Sequence, residues 1–148
     1  MPLKLEDDQM CCVCGSKNPL GLKLHFEHLK KGTLKSSVIF SKEHQGFKDI
    51  VHGGMIAMVL DEMMVNLAWK EGLPAVTAEL TVRLKKAAKI GQKVLLEGYL
   101  EGQQGRVLRA RSEARTEAGE LLAIATATCV LIREKTDNPT TYFVRKAD

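Results

Sequence analysis

Aromatic residues make up only 5% of this chain, with one tryptophan, two tyrosines and four phenylalanines among 148 positions. Surfaces that hold single-stranded nucleic acid interleave aromatic platforms with basic residues. The nearest approach to a basic cluster, Arg83, Lys85, Lys86 and Lys89, contains no aromatic, so no nucleic-acid partner is expected. A long hydrophobic run is also missing. The best approximation, Met55 to Trp69, is broken by Asp61, Glu62 and Asn66 and is shorter than the roughly 20 apolar residues a bilayer span requires. No membrane partner is therefore expected. Glu6, Asp7 and Asp8 stand where a secretory signal would carry cations and then an apolar stretch, and a cytoplasmic location is the expectation.

Cysteine is sparse, at Cys11, Cys12, Cys14 and Cys129. Cys11 and Cys14 have C-x-x-C spacing, but a structural zinc site takes four ligands, and neither a second C-x-x-C nor a histidine pair follows. Val13, Gly15 and Ser16 offer no strand-to-helix context of the thioredoxin kind. The expectation is reduced thiols packed near the surface, with no metal. The net charge of +4 is spread along the chain. The basic run reads as a solvated face, or more sharply as an attraction for an anionic small molecule such as a phosphorylated cofactor.

What is present is a patterned chain, 45% hydrophobic, of a length that makes about one domain. Residues 1–20 read as an irregular N-terminal segment, 21–134 as a single domain and 135–148 as a tail. Within the domain, Leu22 to His28 alternates apolar and polar residues as a strand does. A second strand runs from Thr33 to about Ser41, with Leu34, Val38 and Phe40 on one face if a bulge interrupts it. Helical spacing covers Gly53 to about Glu71, and Gly72 is placed to end that helix. Four strand candidates follow: 75–84, 93–101, 107–117 and 121–133. Short glycine-bearing links join the last three, which predicts an antiparallel meander. The tail is either disordered or a short strand through Tyr142, Phe143 and Val144.

The helix is the chemically unusual element. It opens on His52-Gly53-Gly54, is apolar almost all round, and yet carries Asp61 and Glu62 side by side. Two glycines let another group approach the backbone, and a helix start offers unpaired N–H donors to an oxygen. An acid two turns later supplies a base or a nucleophile. Gly54 and Asp61 lie on nearly the same face but roughly 10 Å apart along the axis, so one reacting carbon cannot touch both. A working pair then comes most simply from two copies of the chain.

The element order and the motif together resemble the PaaI-like acyl-CoA thioesterases of hotdog fold. The matching residues are His52-Gly53-Gly54 with Asp61 nine positions after the histidine, Thr77-Ala78-Glu79-Leu80 opening the next strand, and Cys14-Gly15-x-x-Asn18-Pro19-x-Gly21-Leu22 near the start. The likeness implies an α+β hotdog fold, a long central helix wrapped by a curved antiparallel sheet of about six strands. It implies an acyl-CoA substrate, no cofactor beyond the coenzyme A of that substrate, and a homodimer with composite sites, with a tetramer of two dimers left open.

By that resemblance the Gly53 N–H polarises the thioester carbonyl, His52 positions the thioester or the loop, Asp61 attacks or activates water, and Thr77 holds the water or the acid. Asp61 is preferred over Glu62, because Gly54, Ala57 and Ala68 on its face leave room for a substrate, whereas Glu62 lies with Met58, Asn66 and Trp69 and can instead pair across an interface. Gly54, Met58 and Met64 suit an apolar acyl group, aromatic or medium-chain, and Arg83, Lys85 or Lys86 would meet the coenzyme phosphates. One departure stands out. Many relatives carry an asparagine six residues before the motif histidine, and this chain has Gly46 there; Gln45 or His44 are the candidate replacements. That departure keeps open a non-catalytic hotdog protein that binds acyl-CoA or a related ligand. A hydroxyacyl-thioester dehydratase fits the His52-Gly53-Gly54 spacing poorly.

Overall fold

The computed structural model describes residues 5–132. The apolar helix, α1, spans Gly53–Lys70. Its last turn closes with the Gly72 N–H bonded to the Trp69 carbonyl, Gly72 itself lying in the left-handed region at φ 77°. Among the described residues six strands surround it: β1 Glu27–Lys30, β2 Thr33–Ile39, β3 Ala75–Leu84, β4 Lys93–Gln104, β5 Val107–Thr116 and β6 Leu121–Leu131. All pairings are antiparallel, in the spatial order β1-β2-β4-β5-β6-β3. The expected meander is β4-β5-β6. The helix packs on β2 through β6, which gives one helix held against a curved sheet, the hotdog arrangement.

Period-two alternation sets the inner face. Val94, Leu96 and Gly98 of β4, Leu108, Ala110, Ser112 and Ala114 of β5, and Ala123, Ala125, Ala127 and Cys129 of β6 are all buried. Small residues dominate β5 and β6, so the helix sits close. At the centre, Gly98 pairs with Ser112. A Cβ on Gly98 would lie 3.1 Å from the Met63 carbonyl oxygen, and the Ser112 hydroxyl donates to the Leu60 carbonyl at 2.9 Å. The C-terminal end of the helix is fixed by the Trp69 indole N–H bonded to the Ala75 carbonyl at 2.9 Å. The Glu71 carboxylate accepts from the Gly32 N–H in the β1–β2 turn and pairs with His28.

Three expectations need correction. The alternating stretch Leu22 to Phe26 is not in the sheet. Leu22 and Leu24 donate instead to the carbonyls of Cys12 and Val13, and Lys23 adopts φ 53°, so the N-terminal segment takes up hydrogen bonds that a sheet neighbour would have supplied. The β2–β4 register runs without a bulge, because Leu34, Val38 and Phe40 share one face by simple alternation. Cys129 is not near the surface but in the core, 1% exposed. The possible strand through Tyr142, Phe143 and Val144 lies outside the described residues.

The seat of the helix yields a test. Gly98→Val should lower unfolding stability by ~1–3 kcal/mol through overpacking, measured by urea denaturation. Gly102→Ala, whose Cβ would meet nothing within 4 Å, should stay within about 0.5 kcal/mol of the parent.

Candidate active site

His52 is the N-cap of α1, and its Nδ1 accepts the Gly54 N–H at 2.8 Å. A neutral ring holding that bond carries its proton on Nε2, and the side chain is exposed, so an N–H donor is offered outward beside the helix start. Gly54 has to be small for the ring to fold back, since a Cβ there would sit 3.0 Å from Nδ1. The Met55 and Ile56 N–H groups bond to the His52 carbonyl. Among the described residues no backbone carbonyl takes the Gly53 N–H, so at this helix start it is the donor left for a ligand.

The loop before the helix is pinned along its length. Val51 N–H bonds to the Ala88 carbonyl, His52 N–H to the His44 carbonyl and Gly46 N–H to the Ile50 carbonyl. Together with the turn after β3 this loop encloses a cleft of about 490 Å³, lined by Phe47, His52, Gly53, Ile56, Leu84 and Lys85 among others. Leu84 lies directly over Gly53, with its Cδ1 2.7 Å from where a Cβ would be. Phe47 is 85% exposed at the same mouth.

The candidate acid is elsewhere. Asp61, half-buried two turns down the helix, accepts a hydrogen bond from Thr77 Oγ1 at 2.7 Å. Thr77 precedes a bulge in β3, where the register against β6 shifts between Thr77 and Glu79; bulges commonly re-aim a side chain beside a site. Its ladder partner Cys129 completes this corner, and burial, with a smaller addition from the Asp61 charge, pushes that thiol above its usual range. Neither Asp61 nor Thr77 lines the cleft. Within one chain the structure thus brings together His52, Gly53 and Lys85 at one place and Asp61 with Thr77 at another.

The other sequence candidates fall in four places. Gln45 Oε1 accepts from the Asp49 N–H and His44 Nδ1 accepts from the Ser41 N–H, so both brace the loop. Gly46 packs against His52, with a Cβ there falling 3.3 Å from the imidazole Cδ2, and an asparagine would displace that ring. Met58 Sδ is 3.7 Å from Cys12 Sγ, and Glu62 meets Cys11 and Asn66, which turns both toward the N-terminal segment. Arg83 is exposed on β3. Sequence reasoning missed Leu84, Phe47 and Cys129, whose only local signal was an apolar residue next to a motif or opposite one in the ladder.

A family model described as thioesterase superfamily matches residues 48–123, from the loop before the helix into the last strand. The chain belongs to the thioesterase superfamily. The matched span covers just over half of this superfamily member and includes both His52-Gly53-Gly54 and the Asp61–Thr77 pair. A protein of Archaeoglobus fulgidus, named only provisionally as an esterase, is 26% identical over 106 residues, covering 72% of this chain and 69% of that one. A crystal structure described as a thioesterase superfamily protein superposes with a TM-score of 0.76 at 26% identity, covering 80% of this chain and 61% of its own length. The Escherichia coli PaaI protein, from the phenylacetic acid degradation operon, shares the fold with a TM-score of 0.71 at 14% identity, covering 76% and 81% of the two chains.

The capping geometry separates structural from chemical roles at His52. His52→Ala should lower stability by ~1 kcal/mol, the usual cost of removing an N-cap acceptor, whereas His52→Asn should recover most of it, because asparagine caps well. Urea denaturation of the two variants reads the difference.

Proposed function

We propose that this chain is a thioester hydrolase that cleaves an acyl-CoA to the free acid and coenzyme A, working as a homodimer in which each site is shared. The observation that carries this reading is the division of the helix. Its N-terminus opens into a cleft that lacks an acid, and its acid sits roughly 12 Å further along the axis, hydrogen-bonded to Thr77. On α1, Ala57, Asp61, Val65 and Trp69 are only half-buried in the single chain. Edge strand β3 adds exposed Val76, Leu80 and Leu84. A second copy packed there would bury this apolar surface.

In that arrangement the Gly53 N–H of one chain takes the thioester carbonyl oxygen, and charge developing on that oxygen is stabilised by the donor and by the helix dipole. His52 Nε2–H stands beside it as a positioning donor. The partner copy's equivalent of Asp61 removes a proton from an attacking water, or attacks the carbonyl carbon and expels the thiolate to leave an anhydride that water then hydrolyses to the free acid, and Thr77 holds its carboxylate in place. The leaving coenzyme A thiolate takes up a proton from solvent. Leu84, Ile56 and Phe47 favour an apolar acyl chain, aromatic or medium-chain. Lys85 at the cleft and Arg83 nearby would meet coenzyme phosphates, while Lys86 is paired with Glu120.

Proteins of the same fold add support. A Streptococcus mutans chain is described as bound to acetyl CoA and a Streptococcus pneumoniae one with coenzyme A. Alanine variants of the latter replace an aspartate and a threonine that are sixteen positions apart, the interval from Asp61 to Thr77. A second reading, ligand binding without turnover, is favoured by Gly46, with Gln45 and His44 both engaged in the loop.

Thiol release from a panel of acyl-CoAs should detect turnover, falling ~10²–10⁴-fold in Asp61→Asn and about tenfold in Thr77→Val, the worth of one hydrogen bond. Binding with no release from any acyl-CoA would favour the second reading. Two dead variants, Asp61→Asn and Gly53→Val, refolded together should regain about a quarter of the parent activity, since half the dimers are mixed and each has one intact site. A mixture that stays dead argues against shared sites.

A further inference from the structure

We propose that Cys11, Cys14 and Glu62 form a binding site for one zinc ion that fastens the N-terminal loop to the middle of α1. The sulfur atoms of the two cysteines and a carboxylate oxygen of Glu62 all lie within 4.8 Å of one another. Cys11 Sγ and Glu62 Oε1 are 3.7 Å apart. Zinc bonds of ~2.3 Å to sulfur and ~2.1 Å to oxygen, arranged tetrahedrally, require about 3.6 Å between those atoms. The donor set has two soft sulfurs and one oxygen, which selects zinc over magnesium or calcium, whose ligands are oxygens. Water takes the fourth position.

The surroundings of this cluster are built for ligation. The Val13 and Cys14 N–H groups both point at Cys11 Sγ, at 3.4 and 3.5 Å, a second shell that orients a metal-bound sulfur. Gly15 closes the turn: its N–H bonds to the Cys11 carbonyl at 2.9 Å, and a Cβ there would lie 2.4 Å from the Cys11 nitrogen, so only glycine fits. Val13, 2% exposed, anchors the turn in the core. On the helix side, Asn66, 1% exposed, donates its side-chain amide to Glu62 Oε1 at 2.5 Å, which holds the carboxylate toward the thiols. A ligand absent from the local C-x-x-C pattern thus arrives from a residue 51 positions away.

The site also divides the two adjacent acids. Glu62 is committed to the loop, and Asp61 is the one left on the Thr77 side. The zinc site does not depend on the proposed hydrolase reading, and its failure would leave that reading standing.

The untagged full chain, purified in reductant from zinc-supplemented culture, should carry one zinc per chain by elemental analysis. Replacing zinc with cobalt should give thiolate-to-cobalt charge-transfer absorption. Cys14→Ser and Glu62→Gln should each weaken binding at least ~10-fold, while Cys12→Ser binds like the parent. Chelation should lower the Tm of the parent and leave that of Cys14→Ser unmoved. Uptake of neither ion by the reduced parent chain, a read-out that needs no variant to fold, would overturn the site. So would cobalt absorption that survives intact in Cys14→Ser.

Discussion

The close seating of α1 on the sheet at Gly98 and Ser112 is the contact on which the remaining geometry depends. Gly98 allows the Met63 carbonyl to come within 3.1 Å of where a side chain would begin. Its ladder partner Ser112 donates to the carbonyl of Leu60 less than one turn away. One strand pair therefore fixes the helix in depth by the absence of a side chain and in rotation by a hydrogen bond. The surrounding alanines of β5 and β6 keep that depth along the helix, and Trp69 and Glu71 tie down its far end.

Because rotation is fixed, each residue of the helix has an assigned neighbour. Met63, Leu67 and Val59 go into the core. Asp61 faces β3 and meets Thr77, and Glu62, turned by about 100°, faces the cysteine loop instead. The two acids have adjacent positions in the sequence but no common environment. At the helix start, His52 consumes the Gly54 N–H and leaves that of Gly53. The glycine pair has two separate tasks, close approach of the imidazole at Gly54 and of Leu84 at Gly53.

Much of the fold was legible in the sequence, because α1 and β3 to β6 are long periodic segments, and α1, β4 and β5 are each followed by a glycine of positive φ, Gly72, Gly105 and Gly119. β3 matches its expected bounds, and the helix ends within one residue of them. Alternation places the first strand at Leu22 to His28 rather than at Glu27–Lys30, because Leu22 to Phe26 has the same pattern whether its backbone pairs with a sheet or with residues 12 and 13. Periodicity records which side chains are buried and is silent on what the N–H groups bond to. In the candidate site, the histidine, glycines, acid and threonine were readable as a spaced motif. The apolar walls Leu84 and Phe47 were not, since apolar residues on a strand or loop look alike wherever they end up.

The order and kind of the main elements and the separation of helix start from acid follow from hydrophobic period and rise per residue, which are local and can be read along the chain. Folding alone puts Gln45 and His44 to use in the loop, closes off Gly46 with the His52 ring, and sets Glu62 beside Cys11 and Cys14 rather than beside Asp61. Those are contacts between residues far apart in the chain or turned to particular rotamers, and they exist only once the sheet has curved around the helix and fixed its rotation.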